Sequence, residues 1–229
     1  MSIRPPSIFN RALEGRVVAE AGALVAMLPM LRLQAPTGRG PVMVLPGFMA
    51  GDASTTLLRG FIGSLGYQAM PWELGTNRGR MLDLLPQVTD RVASLADANG
   101  GPVQMLGWSR GGVLAREVAR DRPDLVSRVI TLGSPVQGGT RGTSIGAMVR
   151  RETGMSPAQM LALMQQRQAR SIQTPIVALY SKTDGVVAWQ ACVDEHSPHV
   201  THHEVAASHV GMGCNPQVCR LVARALAGS

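Results

Sequence analysis

From residue 41 onward the chain alternates short, almost wholly apolar runs with longer amphipathic stretches. "PVMVLPGF" (41–48), "YQAMPWEL" (67–74), "PVQMLGW" (102–108), "VSRVITLGS" (126–134), "TPIVALYS" (174–181) and "VTHHEVAA" (200–207) read as strands. "STTLLRGFIGSLG" (54–66), "RMLDLLPQVTDRVASLADA" (80–98), "RGGVLAREVARD" (110–121) and "PQVCRLVARALA" (216–227) read as helices, the second interrupted near Pro86. Strands that are apolar throughout and separated by helices predict an α/β fold: a mostly parallel central sheet of about six strands with helices on both faces.

Two stretches fall outside this alternation. Residues 7–33 read as helical and packed on the domain. Arg4, Arg11 and Arg16 followed by "VVAEAGALVAMLPML" give the look of a signal peptide, but Glu20 and Pro29 interrupt the apolar run and no cleavage site follows. The run also reads as too short and broken to span a bilayer, so the expected location is the cytoplasm, with secretion or membrane association as the alternative. Residues 136–173 form an insertion between two core strands, with two helical stretches around a turn at Gly154 to Pro157 and a helix start at Ser156-Pro157. Met148, Met155, Met160 and Met164, with Leu161 and Leu163, would give this insertion a flexible apolar face, as a cap over a site or as packing or dimer contact.

Length and charge narrow the function classes. A chain of 229 residues that is 45% hydrophobic suits one domain over 1–229, with an N-terminal helical segment (1–40) and the 136–173 insertion. The net charge of +7 comes from scattered arginines and one lysine, Lys182, without a basic block interleaved with aromatics. Nucleic acid is therefore not an expected partner, and the arginines read as a solvated basic surface that leaves peripheral membrane contact open. Cys192, Cys214 and Cys219 are odd in number and match no metal spacing; one pair could still bridge. Oligomeric state is not legible.

In parallel sheets, ligands bind beyond the carboxyl ends of the strands. Ser109 stands there in "GWSRG", directly after one strand and before a helix. Glycines two before and two after allow a sharp turn that lifts the hydroxyl above the sheet. A second match, "GTSIG" around Ser144, follows no strand and reads as loop or helix-cap chemistry. A serine nucleophile needs a base and an acid to orient it. Asp184 follows the 174–181 strand and is preferred over Asp194, which follows none. His209 lies between the last strand and last helix and is preferred over His202 and His203 inside the strand and His196 and His199 in a polar loop. Backbone N–H groups of Phe48, after the first strand, and Arg110, at the helix start, are the candidate oxyanion donors. Trp108 reads as packing under the turn, with lining of the acyl pocket as the alternative.

Together "VLPGF", "GWSRGG", "ITLGSP", "YSKTDGVV" and "SHVGMG" resemble the α/β-hydrolase superfamily, in particular small bacterial lipase-like and esterase-like members, over roughly residues 41–228. The resemblance implies the α/β-hydrolase fold and hydrolysis of a small-molecule or lipid ester through an acyl-enzyme on Ser109, with Asp184 and His209 completing the triad and no metal or organic cofactor. Pro46-Gly47 stands where many lipase-like members have His-Gly, which leaves the choice between the Phe48 and Met49 N–H groups open. The same triad would serve an acyltransferase or thioesterase, and the fold could serve a non-catalytic lipid-surface binder.

Overall fold

The computed structural model describes residues 3–228. Six strands, β1 (Pro41–Leu45), β2 (Gln68–Pro71), β3 (Val103–Trp108), β4 (Val126–Leu132), β5 (Ile176–Tyr180) and β6 (Val200–Glu204), form one sheet in the order β2-β1-β3-β4-β5-β6, and every neighbouring pair is parallel. Each strand is shorter than its apolar run, because the last residues of several runs turn out of the sheet. β4, for instance, gives way to Gly133 at φ 55°.

Period-two alternation sorts the strand side chains between two cores. Val42, Val44, Leu106, Ile130 and Leu179 pack against α3 (Thr56–Ser64), α8 (Pro216–Ala227) and α2 (Val17–Gln34). Met43, Leu45, Met105, Val129 and Ile176 pack against α4 (Met81–Asn99) and α5 (Arg110–Asp121). The chain runs outward from β1 to β2, then crosses to β3 on the other side of β1. That reversal leaves a crevice beyond the paired ends of β1 and β3, where Leu45 aligns with Gly107.

Three expectations are corrected. Helix α4 is continuous through Pro86, which lies on its exposed face, where the carbonyl that loses its N–H partner can turn to water. Helix α2 likewise continues through Pro29, so the helical stretch from Ile8 to Gln34 is long and apolar enough, by length and composition, to cross a membrane. Its contacts nevertheless hold it on the domain: Leu24 and Leu31 enter the first core, and Glu20 accepts hydrogen bonds from the Ser208 N–H (2.8 Å) and the Asn215 amide (3.2 Å). Third, the arginines are not only a solvated surface. Arg116 and Arg120 are buried, bonded to Asp194 (2.5 Å) and Glu117 (3.1 Å). The three cysteines are free and buried, and burial raises their pKa values, that of Cys219 to about 12.

If α2 is part of the folded core, Leu31→Ala, at a site 1% exposed, should cost about 2–5 kcal/mol in chemical denaturation, whereas Leu33→Ala, at a site 88% exposed, should stay within about 0.5 kcal/mol. Equal effects would mean that the segment contributes no packing.

Candidate active site

Ser109 occupies the one-residue turn between β3 and α5 at φ 54°, ψ −121°, a conformation a β-carbon-bearing residue adopts only when its surroundings hold it there. Its neighbours supply that hold by contact of bare backbone. A β-carbon on Gly107 would lie 2.3 Å from the Gly112 backbone, and one on Gly111 2.4 Å from the Leu45 carbonyl oxygen. One on Gly112 would lie 2.0 Å from Ser134 Oγ. Glycine at all three positions lets α5 descend onto the ends of β1 and β4, and the Ser109 N–H bonds to the Leu132 carbonyl (2.7 Å).

The loop after β1 abuts this turn because β1 and β3 are paired; the Gly47 β-position lies 3.5 Å from Ser109 Cβ. Buried Asn77 ties the loop down. Its side-chain amide donates to the Pro46 carbonyl (2.8 Å), its N–H to the Ala50 carbonyl (2.8 Å), and its carbonyl accepts from the Met49 N–H (2.8 Å). Met49, itself at φ 60°, therefore has its N–H engaged, while among the described residues nothing accepts from the Phe48 N–H. Arg110 is the first residue of α5, where N–H groups have no partner within the helix. Its side chain turns away: Nη2 donates to the Gly79 carbonyl (2.6 Å), and the guanidinium lies 5.4 Å from the Phe48 ring centroid. Burial lowers its pKa to about 10 despite the Glu152 charge, which leaves it cationic at neutral pH.

Asp184 and His209 meet one strand further along. His209 Nδ1 lies 2.7 Å from Asp184 Oδ2, and Asp184 Oδ1 accepts the Val186 and Val187 N–H groups, each at 2.7 Å. The carboxylate thus accepts a hydrogen bond from Nδ1–H, which leaves Nε2 with its lone pair. Burial pulls the His209 pKa down, but the Asp184 charge, the hydrogen bond to it and the Glu14 charge outweigh that, and the net is a raised value. A β-carbon on Gly133 would fall 3.1 Å from both Asp184 Oδ2 and His209 Nδ1. The end of β4 therefore carries the pair on Gly133 and the Ser109 N–H on Leu132. Ser109 and His209 are not hydrogen-bonded to each other. Trp108 packs beneath, as expected, and its Nε1 donates to the His209 carbonyl (3.0 Å).

The competing residues are engaged elsewhere. Asp194 binds Arg116 and accepts the His196 and Ser197 N–H groups, and its own N–H donates to His202 Nε2 (3.0 Å). Ser144 is in a loop rather than at a helix cap; its hydroxyl donates to the Gly185 carbonyl (3.0 Å), so it braces the Asp184 turn.

In the insertion, α6 (Gly146–Thr153) and α7 (Pro157–Gln168) follow a short 3-10 turn, and α7 begins with the Ser156–Gln159 capping box. A cavity of about 130 Å³ is lined by Ser109, Phe48 and Arg110 on one side and by Met155, Met160, Leu163 and Met164 on the other. Met148 and Leu161, counted in the expected apolar face, are instead exposed. Arg167 secures α7 to α5 through Glu117 (2.5 Å) and Asp121 (2.6 Å), and Arg170 adds a second contact to Asp121.

Asn77, Glu14 and Glu20 were missed from sequence. Glu14 accepts from the N–H groups of Gly185 (2.7 Å), His209 (2.9 Å) and Val210 (2.9 Å). A charged residue in an otherwise apolar helical stretch demands a partner, and that was the available signal for both glutamates. Asn77 carries none.

Because the Gly111 β-position meets the Leu45 and Pro46 carbonyl oxygens at 2.4 and 2.5 Å, Gly111→Ala should destabilise by about 3 kcal/mol or more or prevent folding. Gly63→Ala, on α3 with open space around it, should be neutral or stabilising by up to about 1 kcal/mol. Equal thermal stability of the two variants would contradict the close contact at the turn.

Solved structures share this architecture. Lipase B of Aspergillus fumigatus aligns with a TM-score of 0.64 at 15% identity, over 83% of this chain and 53% of that one. Est1E of Butyrivibrio proteoclasticus, solved with ferulic acid, aligns with a TM-score of 0.59 at 12% identity over 82% and 86% of the two chains. Alpha/beta hydrolase domain-containing protein 10 from mouse aligns with a TM-score of 0.56 at 18% identity over 85% and 90%. No family model and no curated protein matches the chain. With a parallel sheet in the order 2-1-3-4-5-6, a positive-φ serine turn after β3 and these neighbours, the chain has the α/β-hydrolase fold.

Proposed function

We propose that the chain is a serine hydrolase that cleaves carboxylic esters through an acyl-enzyme on Ser109. His209 is the general base, Asp184 orients it, and the Phe48 and Arg110 N–H groups receive the oxyanion. One observation carries the reading: a serine at positive φ on a helix N-terminus lines an apolar cavity, one strand end away from a buried His–Asp pair bonded at 2.7 Å.

The chemistry follows from that arrangement. Ser109 Oγ adds to the ester carbonyl carbon as its proton passes to His209 Nε2, and the resulting oxyanion is met by two N–H groups with no other acceptor. Collapse expels the alkoxide, which takes the proton back from His209, and a water repeats the sequence on the acyl-enzyme. The Ser109–His209 hydrogen bond forms as substrate closes the site, since such contacts are often loose without it. The Met155, Met160, Leu163 and Met164 side chains place an apolar wall opposite Ser109, and this insertion acts as a cap that holds the acyl chain.

Ser109→Ala should lower kcat on an aryl ester by on the order of 10³-fold or more and abolish fluorophosphonate labelling, while Ser144→Ala still labels. Labelling of Ser109→Ala would refute the assignment. The base must be neutral to accept a proton, and the pKa of His209 is raised, so kcat/KM should fall with decreasing pH along a limb lying above that of an ordinary histidine. A limb below it would mean a different base.

Each acyl methylene buried is worth roughly 0.8 kcal/mol, about fourfold in rate. An apolar cavity of about 150 Å³ holds a benzene ring, so a cavity of comparable size fills at about six carbons. A chain-length series should show kcat/KM rising from acetyl to about hexanoyl, and Met160→Asp or Met164→Asp should flatten the rise with little change for acetyl. An unaltered profile in both variants would remove the insertion from the acyl site.

A further inference from the structure

The segment before α2 reaches across the sheet end into both loops of the proposed acid–base pair. Glu14, in the 3-10 turn Leu13–Arg16, accepts with one carboxylate oxygen from the Gly185 and His209 N–H groups (2.7 and 2.9 Å) and with the other from the Val210 N–H (2.9 Å). Gly185 follows Asp184 directly, and His209 and Val210 belong to the loop after β6. Glu20, one and a half turns on, holds the preceding residue Ser208 through its N–H (2.8 Å) and hydroxyl (2.5 Å). Around them Asn10 donates to the Lys182 carbonyl (3.0 Å) and Arg16 to Thr183 Oγ1 (2.6 Å). The close fit at Gly185, whose β-position would lie 2.5 Å from the Asn10 carbonyl oxygen, shows that the segment is seated on the Asp184 turn.

We infer that Glu14 is a positioning residue for the proposed reaction: its carboxylate joins the Asp184 loop to the His209 loop and sets the distance between acid and base. The inference rests on the reading of His209 as base. The two loops come from different strand ends; beside the Asp184–His209 bond and the Val205–Tyr180 and Lys182–Glu204 contacts at their bases, this carboxylate bonds to both. A displacement of about 1 Å between reacting groups costs on the order of 100-fold in rate, so an anchor of this kind acts on kcat rather than on substrate binding. It also acts through charge. The charged groups facing His209 among the described residues are Asp184, from the loop after β5, and Glu14; its neighbours Trp108, Gly133 and Met212 carry none, and Glu20 meets Ser208. Both carboxylates favour the imidazolium.

Glu14→Ala and Glu14→Gln, each checked for folding, are to be assayed on one aryl ester across pH, beside His209→Ala and Leu31→Ala. Glu14→Ala should lower kcat by roughly ten- to a hundredfold with KM within about threefold. Glu14→Gln keeps one acceptor oxygen but sets its amide against the Val210 N–H, so its kcat should fall between that of the parent and that of Glu14→Ala. In both, the acidic limb of kcat/KM should move to lower pH. Leu31→Ala, which loosens α2 without touching either loop, should lower stability and leave the limb in place. If Glu14→Ala does not fold, Glu14→Gln decides. A folded Glu14→Gln protein with parental kcat and parental limb overturns the inference and leaves the triad standing, provided His209→Ala is inactive. An active His209→Ala overturns both.

Discussion

The arrangement depends on one backbone constraint: Ser109 is held in a left-handed conformation by three glycines that let α5 touch the ends of β1 and β4. Among the described residues, nothing accepts a hydrogen bond from the serine side chain to keep it there. The hold is steric, from bare backbone packed closer than any β-carbon would allow, and it fixes where the hydroxyl and the first N–H groups of α5 point. Because β1 is the partner of β3 in the sheet, the same contact places the Pro46–Met49 loop beside the serine. The proposed nucleophile and oxyanion donors are thus set by a single register.

The proposed acid–base half is held differently, by polar contacts. Asp184 and His209 sit on loops from separate strands, and neither loop is stiffened by the sheet. One buried and two part-buried carboxylates do that work: Asp184 gathers the N–H groups of its own turn, Glu14 those of both loops, and Glu20 the N–H and hydroxyl of Ser208. A carboxylate can accept several N–H bonds at once and is costly to bury without them, so each such residue locks the loops it touches. This makes the N-terminal segment part of the site's frame, even though much of its outer face is apolar and open.

A third layer, the insertion, is tied to α5 by arginine–carboxylate pairs at the far end of α7, while Met155, Met160 and Met164 face the cavity. Arg116, Arg120 and Arg167 are spent on such internal pairs, but each pair also takes up a carboxylate, so the net charge of +7 is carried by the remaining groups.

Much was legible in the sequence. Runs that are apolar throughout, alternating with amphipathic helices, sufficed for a parallel sheet, and the rule that ligands bind beyond strand ends made Ser109, Asp184 and His209 the candidates, which the fold gathers at one end of that sheet. Turn chemistry is local, so the glycines around Ser109 and the Ser156–Gln159 capping box could be read directly. The folded chain alone decided what depends on distant partners. Glu20 looked like a break in an apolar run, yet it bonds to Ser208, 188 positions away; Glu14 reaches His209 across 195. Asn77 takes up the Met49 N–H and so leaves Phe48 as the free donor. Pro86 and Pro29 do not break their helices, because each sits on an exposed face. Sequence carries a residue's own preferences and those of its near neighbours, whereas the partner that satisfies a buried charge or amide is chosen only when remote segments meet.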